Sequence, residues 1–306
     1  MKKPVLFPST SGFNPLRYVR CSMPFALCAL LFALCSTISF ATVRYVSHSG
    51  TSTPPYTTWE TAADSIMSAI NISTFGDTIY VANGVYEEQV VMIPGLSLIG
   101  NGMDSCIIDT HNLVTSQNFA SVRIADSCLL KGFHIIIYNN YDKGVGIAMN
   151  ISAFNSLITL NNISNGFEGI YVGNKPYIYN NIISKVTTGI GLFNSNSVVR
   201  KNTIYTDPNS DFPIVDGIEI QAFDYTYKPL IDSNIIYPLY AYGIHKSFGS
   251  TPTISNNIII LDSIYSGDAM SLYLSDTVKV FNNLILGYGY DGIYTEGGSG
   301  RGMNVY

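Results

Sequence analysis

Five side chains in the second half of the chain could carry acid–base chemistry. They are Asp216, Glu219, His245, Asp268 and Asp291. Paired carboxylates serve as acid and base in glycoside hydrolysis when their separation is right. A lyase would instead need a base beside a cation that neutralises a uronate. Because aspartate before glycine is also an ordinary turn choice, an unspecialised turn fits the same residues.

A second group of residues could bind sugars. Tyrosine rings stack on the apolar faces of pyranoses, and glutamine and glutamate hydrogen-bond to hydroxyls. The predicted binding residues are Tyr171, Glu219, Gln221, His245, Tyr273 and Tyr294. Exposed strands of many β-proteins are rich in tyrosine and polar residues, so an ordinary solvent-facing surface remains the alternative.

Two repeated patterns must position these residues. One is an asparagine between β-formers, whose last asparagine falls at Asn162, Asn181, Asn202, Asn234, Asn257 and Asn283. The other is a Gly-Ile pair, at Gly146-Ile147, Gly169-Ile170, Gly189-Ile190, Gly217-Ile218, Gly243-Ile244 and Gly292-Ile293, with Ala269-Met270 in the missing place. Both keep a spacing of about 24 residues, which indicates a repeat architecture.

The segments between the markers alternate at period two, as strands with one buried face do. A helix-free repeat of this length predicts one coil of a parallel β-solenoid, stacked at about 4.8 Å on the next. Asparagine at a fixed bend would tolerate unusual backbone angles and form an amide ladder. The glycine before each isoleucine would allow a tight turn.

In such a coil the isoleucine faces inward and the next residue faces solvent. The first predicted outward row is Ala148, Tyr171, Gly191, Glu219, His245, Ser271 and Tyr294. The second is Asn150, Gly173, Phe193 (slightly out of phase), Gln221, Ser247, Tyr273 and Glu296. Glu219 and His245 would then be neighbours, and the three aspartates would begin strands one coil apart.

These bends and Gly-Ile strands, with the segment 76–86 as an opening coil, resemble right-handed parallel β-helix proteins of the pectate-lyase-like kind, including the NosD-type repeat proteins. The resemblance covers residues 76–306. It implies an all-β, right-handed parallel β-helix, and it implies that a β-helix enzyme would carry its active site on the Gly-Ile face. The paired-Asp, Gly-His-Gly and Arg-x-Lys pattern of polygalacturonases is absent from the sequence.

The chain divides into three predicted parts. Residues 1–41 combine a basic leader, an apolar stretch and a small-residue exit, which predicts a secretory signal peptide, with an uncleaved anchor as the alternative. Residues 42–75 form a lead-in and a capping helix from Trp59 to Ile70, with a capping box at Thr57 and Glu60. Residues 76–306 hold the coils, which we expect to be incomplete at the C-terminus.

The net charge of the chain excludes some classes of binding partner. The net charge is −5, and without the four basic residues of the leader 12 basic residues face 21 acidic ones. That balance argues against nucleic acid, which needs clustered Lys and Arg. We expect no membrane insertion after signal cleavage and a location outside the cytoplasm: secreted, periplasmic or on the cell surface.

No metal or cofactor motif is recognisable, although calcium would suit the surplus of acids. Cys106 and Cys128 follow the same Asp-Ser phrase, 22 residues apart. We therefore expect them to stack on adjacent coils, as a disulfide or as a column of buried thiols.

The sequence predicts a secreted β-helix that binds extracellular or cell-envelope polysaccharide on its Gly-Ile face. A polysaccharide lyase or glycoside hydrolase is the second hypothesis. A structural or adhesive surface repeat is the third.

Overall fold

Parallel β-strands make up nearly all of the regular structure. The computed structural model describes residues 41–113, 119–137, 144–149, 154–205, 216–237, 242–261, 267–273, 278–287, 289–297 and 303–305. The predicted leader up to residue 40 and Asn150 lie outside these ranges. Within them, no helix has the length and apolarity needed to cross a bilayer.

The strands are short except for β12 and β13, in which successive strands merge. The first thirteen are β1 Val43–Val46, β2 Thr78–Val81, β3 Gly84–Tyr86, β4 Val90–Val91, β5 Ser97–Gly100, β6 Cys106–Asp109, β7 Phe119–Ile124, β8 Leu129–Lys131, β9 His134–Ile136, β10 Gly144–Met149, β11 Phe154–Thr159, β12 Asn162–Tyr179 and β13 Ile182–Ser195. They are followed by β14 Val198–Arg200, β15 Thr203–Tyr205, β16 Asp216–Gln221, β17 Leu230–Asp232, β18 Ile235–Tyr237, β19 Tyr242–Lys246, β20 Thr253–Ser255, β21 Ile258–Leu261, β22 Met270–Tyr273, β23 Val278–Phe281, β24 Leu284–Gly287, β25 Ile293–Glu296 and β26 Met303–Val305.

Each coil gives one strand to each of three parallel stacks. The first stack runs β1, β2, β5, β8, β11, the end of β12, β14, β17, β20, β23 and β26. The second runs β3, β6, β9, the starts of β12 and β13, β15, β18, β21 and β24. The third runs β4, β7, β10, the middle of β12, the rest of β13, β16, β19, β22 and β25. The predicted parallel β-helix is confirmed, and its pairing already begins at β1, which lies beside β2.

The core is a set of apolar columns running along the stack. In the third stack the column consists of Ile147, Ile170, Ile190, Ile218, Ile244 and Met270, all without solvent exposure. Each lies opposite the next in the strand register. The inward direction predicted for the Gly-Ile strands is therefore confirmed.

Glycine is required in these strands for a different reason from the one predicted. Gly189 lies within β13 and its φ is not positive. A Cβ atom there would lie 2.4 Å from the carbonyl oxygen of Gly217 and 2.6 Å from Cγ2 of Ile204. The glycine is needed because adjacent coils approach so closely. The prediction of a tight turn was wrong.

The asparagine ladder is present, with one member shifted. The ladder consists of Asn161, Asn181, Asn202, Asn234, Asn257 and Asn283, and each Nδ2 donates to Oδ1 of the next at 2.9–3.1 Å. In the first of these coils Asn161, not Asn162, is the ladder residue.

The unusual backbone angle belongs to the residue before each ladder asparagine. Those residues have φ of 54–58° and are Leu160, Asn180, Lys201, Ser233, Asn256 and Asn282. The two roles predicted for one asparagine are thus divided between two neighbours. The ladder residue needs its amide, while its predecessor absorbs the bend.

The capping helix is shorter than predicted. Helix α1 spans Ile66–Asn71, with Ser65 as its N-cap accepting from the Ser68 N–H. The carboxylate of Glu88 accepts from the N–H groups of Ile66 and Met67, at 2.6 and 2.9 Å. Ile66 and Ala69 are buried, as expected.

A predicted start at Trp59 with a Thr57/Glu60 capping box is wrong. The backbone of Ala63, just before the helix, bonds to Tyr45 and Ser47 of the first stack instead. Trp59 is 46% exposed rather than part of the buried face. The helix start is fixed by the local N-cap Ser65 and also by Glu88, which is distant in sequence and which a local pattern does not show.

The two cysteines are not stacked. Cys106 opens β6 in the second stack, whereas Cys128 precedes β8 in the first. Both are free and buried, and burial raises the pKa of Cys106 to about 11. The predicted equivalence of the two positions is wrong because their shared phrase leads into different stacks.

Candidate functional site

The outward row predicted beside the isoleucine column exists. Strand register aligns Ala148, Tyr171, Gly191, Glu219, His245, Ser271 and Tyr294, one residue per coil. We call the solvent-facing side of the third stack, from β10 to β25, the shelf. The glycine and isoleucine of each pair are buried, and the residues on either side of the pair are less buried. A second polar row therefore lies three positions before the first one in the sequence.

A cavity of about 300 Å³ opens in the shelf where the row contains glycine. Its lining is Glu168, Tyr171, Gly191, Leu192, Phe193, Glu219 and Gln221. A Cβ atom on Gly191 would lie 3.0 Å from Cδ2 of Tyr171 and 3.1 Å from Oε1 of Glu168. The missing side chain therefore creates the space between the tyrosine ring and the carboxylates.

Glu168 was missed by the sequence interpretation. It lies opposite Thr188, which in turn lies opposite Asp216. A signal existed, since Glu168 precedes Gly169-Ile170 just as Asp216 precedes Gly217-Ile218. Burial, together with the charge of Glu219, raises the pKa of Glu168 to about 7. The cavity thus contains a carboxyl group that exchanges its proton near neutral pH.

Glu168→Gln should stabilise the protein at pH 8 but not at pH 4.5. The folded pKa of about 7 lies above the ordinary 4.5, so the folded state holds this proton more tightly than the unfolded chain. The resulting stability is present below 4.5 and is lost as the pH rises through 7. Thermal unfolding of both proteins at the two pH values checks this. Equal melting temperatures at pH 8 would contradict it.

Asp216 and His245 form a pair beside the cavity. Nδ1 of His245 lies 3.4 Å from Oδ2 of Asp216. Its hydrogen bond to the carboxylate of Asp216 raises the pKa of His245 against the effect of burial. The other oxygen of Asp216, Oδ1, is buried without a hydrogen-bond partner among the described residues.

The same pair and Glu219 could hold a divalent cation. Each of the three residues offers one ligand atom, and these atoms lie within 4.8 Å of one another. One imidazole nitrogen and two carboxylate oxygens suit zinc or manganese better than calcium, which prefers oxygen ligands alone.

The three aspartates are not evenly stacked. Asp216 lies opposite Tyr242, and the register places Asp268 one coil beyond Tyr242. Asp268 is buried, and burial with the charge of Asp291 raises its pKa. The prediction that all three begin strands one coil apart is wrong for Asp216. Neither Asp268 nor Asp291 lines the cavity.

Aromatic rings extend the shelf along the stack. The rings of Tyr171 and Phe193 stack at 6.5 Å, and Phe223 meets Phe193 edge-on at 5.1 Å. Farther along, Tyr273 packs against Phe248 at 5.7 Å. The register between β12 and β13 shifts at Phe193, as the prediction that it is slightly out of phase implies, whereas Phe193 is in register with Gln221 of β16.

The arrangement offers apolar rings, hydrogen-bonding groups and a carboxyl group with a raised pKa in one place. Tyr171, Glu219 and Gln221 of the predicted residues line the cavity. His245 lies beside it, and Tyr273 and Tyr294 lie farther along the shelf. Such a surface can stack a sugar ring, bind its hydroxyls and donate a proton.

The solved structures that resemble this one include pectin methylesterases. Pectin methylesterase from carrot is 17% identical, with 86% of this chain and 90% of that chain covered and a TM-score of 0.51. Pectin methylesterase from Aspergillus niger, in penultimately deglycosylated form, is 15% identical with coverage of 86% and 92% and a TM-score of 0.48. Identity this low supports likeness of fold alone. Among curated protein sequences, none is similar enough to count as a match.

A family model for the right-handed β-helix region matches residues 120–305. This match spans more than half of the chain and covers β10 to β25, the strands that form the shelf. The chain therefore belongs to the right-handed β-helix family.

Proposed function

We propose that this protein binds extracellular or cell-envelope polysaccharide along the shelf. The observation that carries the proposal is the cavity at Gly191, where a tyrosine ring, a phenylalanine ring, two carboxyl groups and an amide converge. Its position on a continuous solvent-facing row leaves room for a long polymer to lie along the stack.

Exposed aromatic rings support the binding of sugar rings. Phe223 is 82% exposed and Phe248 is 65% exposed. Soluble proteins rarely expose contiguous apolar patches unless these patches bind something. Rings that alternate with polar groups along a strand face suit pyranoses, which present apolar faces and polar edges.

The polar groups favour a neutral sugar. Glu219 accepts a hydrogen bond from Nε2 of Gln221, which fixes both side chains at the cavity. Glu168, Asp216 and Glu219 give this part of the shelf an acidic character that would repel a uronate. A uronate polymer would need a bridging cation, and a divalent ion such as zinc or manganese at Asp216, Glu219 and His245 would supply one.

Glycoside hydrolysis is the second candidate. Glu168, with its pKa raised to about 7, would protonate the leaving oxygen, and Glu219 would provide the second carboxylate. Carboxyl groups whose environments separate their pKa values often divide the roles of acid and base. A lyase has less support, because the described residues place no lysine or arginine in the lining of this cavity.

One experiment separates these functions. The protein is incubated with neutral and uronate polysaccharides, with and without calcium, and protein elution and polymer length are followed by size-exclusion chromatography. Co-elution with an unshortened neutral polymer is the expected result. Shortening of a polymer would replace binding by hydrolysis, and Glu168→Gln should then abolish it. If no polymer co-elutes and none is shortened, the proposal is contradicted and a structural repeat is favoured.

A further inference from the structure

We propose a second binding site for a neutral pyranose on the first stack, near the N-terminal end of the solenoid. A cavity of about 460 Å³ lies there, larger than the one in the shelf. Its lining includes Trp59, Tyr80, Asn101, Asp104 and Lys131. None of these residues belongs to the third stack, so the site is separate from the shelf.

One wall of this cavity is aromatic. Trp59 is 46% exposed and Tyr80 is 40% exposed. Tyr45 links them, with its ring centroid 4.5 Å from that of Trp59 and 6.1 Å from that of Tyr80. The three rings therefore form a supported platform rather than isolated exposed side chains. Such a platform offers a pyranose the apolar contact that its carbon face requires.

The backbone holds the tryptophan in place. The segment that carries Trp59 is bonded before and after the tryptophan. The Tyr45 N–H donates to the Tyr56 carbonyl at 2.8 Å, and the Ala63 N–H donates to the Tyr45 carbonyl at 2.9 Å. Since Tyr45 and Tyr80 are register partners on β1 and β2, all three rings rest on the first coils. Little ordering is then required on binding, which favours affinity.

Two stacked glycines bring adjacent coils close together at this cavity. A Cβ atom on Gly100 would lie 2.4 Å from the carbonyl oxygen of Gly132. Both residues line the cavity. Both glycines are buried, and they form part of the cavity lining beside the aromatic wall.

Polar groups of opposite sign complete the site. Nδ2 of Asn101 donates to Oδ1 of Asn83 at 3.0 Å, which fixes the orientation of the amide. Asp104 and Lys131 line the same cavity, so their charges offset each other. This combination of a donor, acceptors and no net charge suits the hydroxyls of a neutral sugar better than an anionic one.

The proposed ligand class is the same as for the shelf, but the surface is different. Either binding proposal can therefore be contradicted without the other. Trp59 is the only tryptophan of the chain, and its fluorescence reports on this cavity directly. A variant with a blocked shelf, Gly191→Val, removes any contribution from the shelf.

The test is a titration of tryptophan fluorescence with neutral β-1,4-linked hexasaccharides of glucose and of mannose. We expect a saturable change in emission with one of them, in wild type and in Gly191→Val alike. Tyr80→Ala and Lys131→Ala should each weaken it about tenfold, the equivalent of about 1.4 kcal/mol. Tyr205→Ala, which removes an exposed tyrosine of the second stack, should not weaken it.

Three results would overturn the proposal. One is constant emission with both hexasaccharides. Another is an emission change that Gly191→Val abolishes, since the signal would then come from the shelf. The last is an equal affinity in wild type, Tyr80→Ala and Lys131→Ala. Thermal unfolding of each variant is the folding control. A midpoint equal to that of wild type ensures that a lost signal reflects lost binding rather than unfolding.

Discussion

Replacing Asn161 by alanine will destabilise the protein strongly, whereas replacing the adjacent Asn162 will not. Nδ2 of Asn161 donates to the carbonyl oxygens of Leu130 and Thr159 and to Oδ1 of Asn181. Its own Oδ1 accepts from the N–H of Phe133. Alanine would leave several of these buried groups without a partner, at about 1–3 kcal/mol each.

We therefore expect Asn161→Ala to lower the free energy of unfolding by about 3 kcal/mol or more. Asn162 is the control, because its Oδ1 is buried without a partner among the described residues and its removal relieves a cost. Urea unfolding of the two variants, with unchanged slopes, makes the comparison. Equal midpoints for both would show that the ladder contributes little to stability.

Gly191→Val will remove polysaccharide binding without unfolding the protein. The added side chain enters the cavity between Tyr171 and Glu168, at 3.0–3.1 Å even for its first carbon. Gly191 is buried beneath these two side chains, but both can shift where a backbone atom could not, and valine is a good strand former. We expect the affinity for the co-eluting polymer to fall at least about tenfold, a loss of about 1.4 kcal/mol.

Gly189→Ala provides the contrast, two residues earlier on the same strand. Its Cβ would meet a backbone oxygen of the next coil at 2.4 Å, which cannot move without disturbing the stack. Overpacking of this kind costs about 1–3 kcal/mol. Affinity measurements and thermal unfolding of both variants test the pair. A stable Gly189→Ala or a fully binding Gly191→Val would contradict the assignment of these two glycines.

The regular part of the fold could be predicted from the sequence because its markers repeat. The Gly-Ile spacing determined which residues face outward, and the register aligns Tyr171, Gly191 and Glu219 as the spacing predicted. The asparagine pattern predicted a ladder. It missed the shift to Asn161 because two adjacent asparagines fit the same local pattern.

The cavity was harder to predict because it depends on a missing side chain. Gly191 was recognised as an outward residue, but its missing side chain matters only beside Tyr171 and Glu168 on the neighbouring coil. Glu168 was overlooked since only the aspartates were compared at that position. Trp59 was assigned to a buried helical face because the apolar periodicity extends back to it, whereas helix α1 begins later, where Ser65 and the distant Glu88 cap its N-terminus.

The most direct test of the central claim compares two tyrosines of one strand. Tyr171 and Tyr177 both lie on β12, but Tyr171 lines the shelf cavity and Tyr177 belongs to the first stack. The measurement is the affinity of wild type, Tyr171→Ala and Tyr177→Ala for the neutral polysaccharide that co-elutes with the protein. We predict that Tyr171→Ala binds at least about tenfold more weakly while Tyr177→Ala binds like wild type. Equal affinities for all three proteins would contradict the assignment of polysaccharide binding to the shelf.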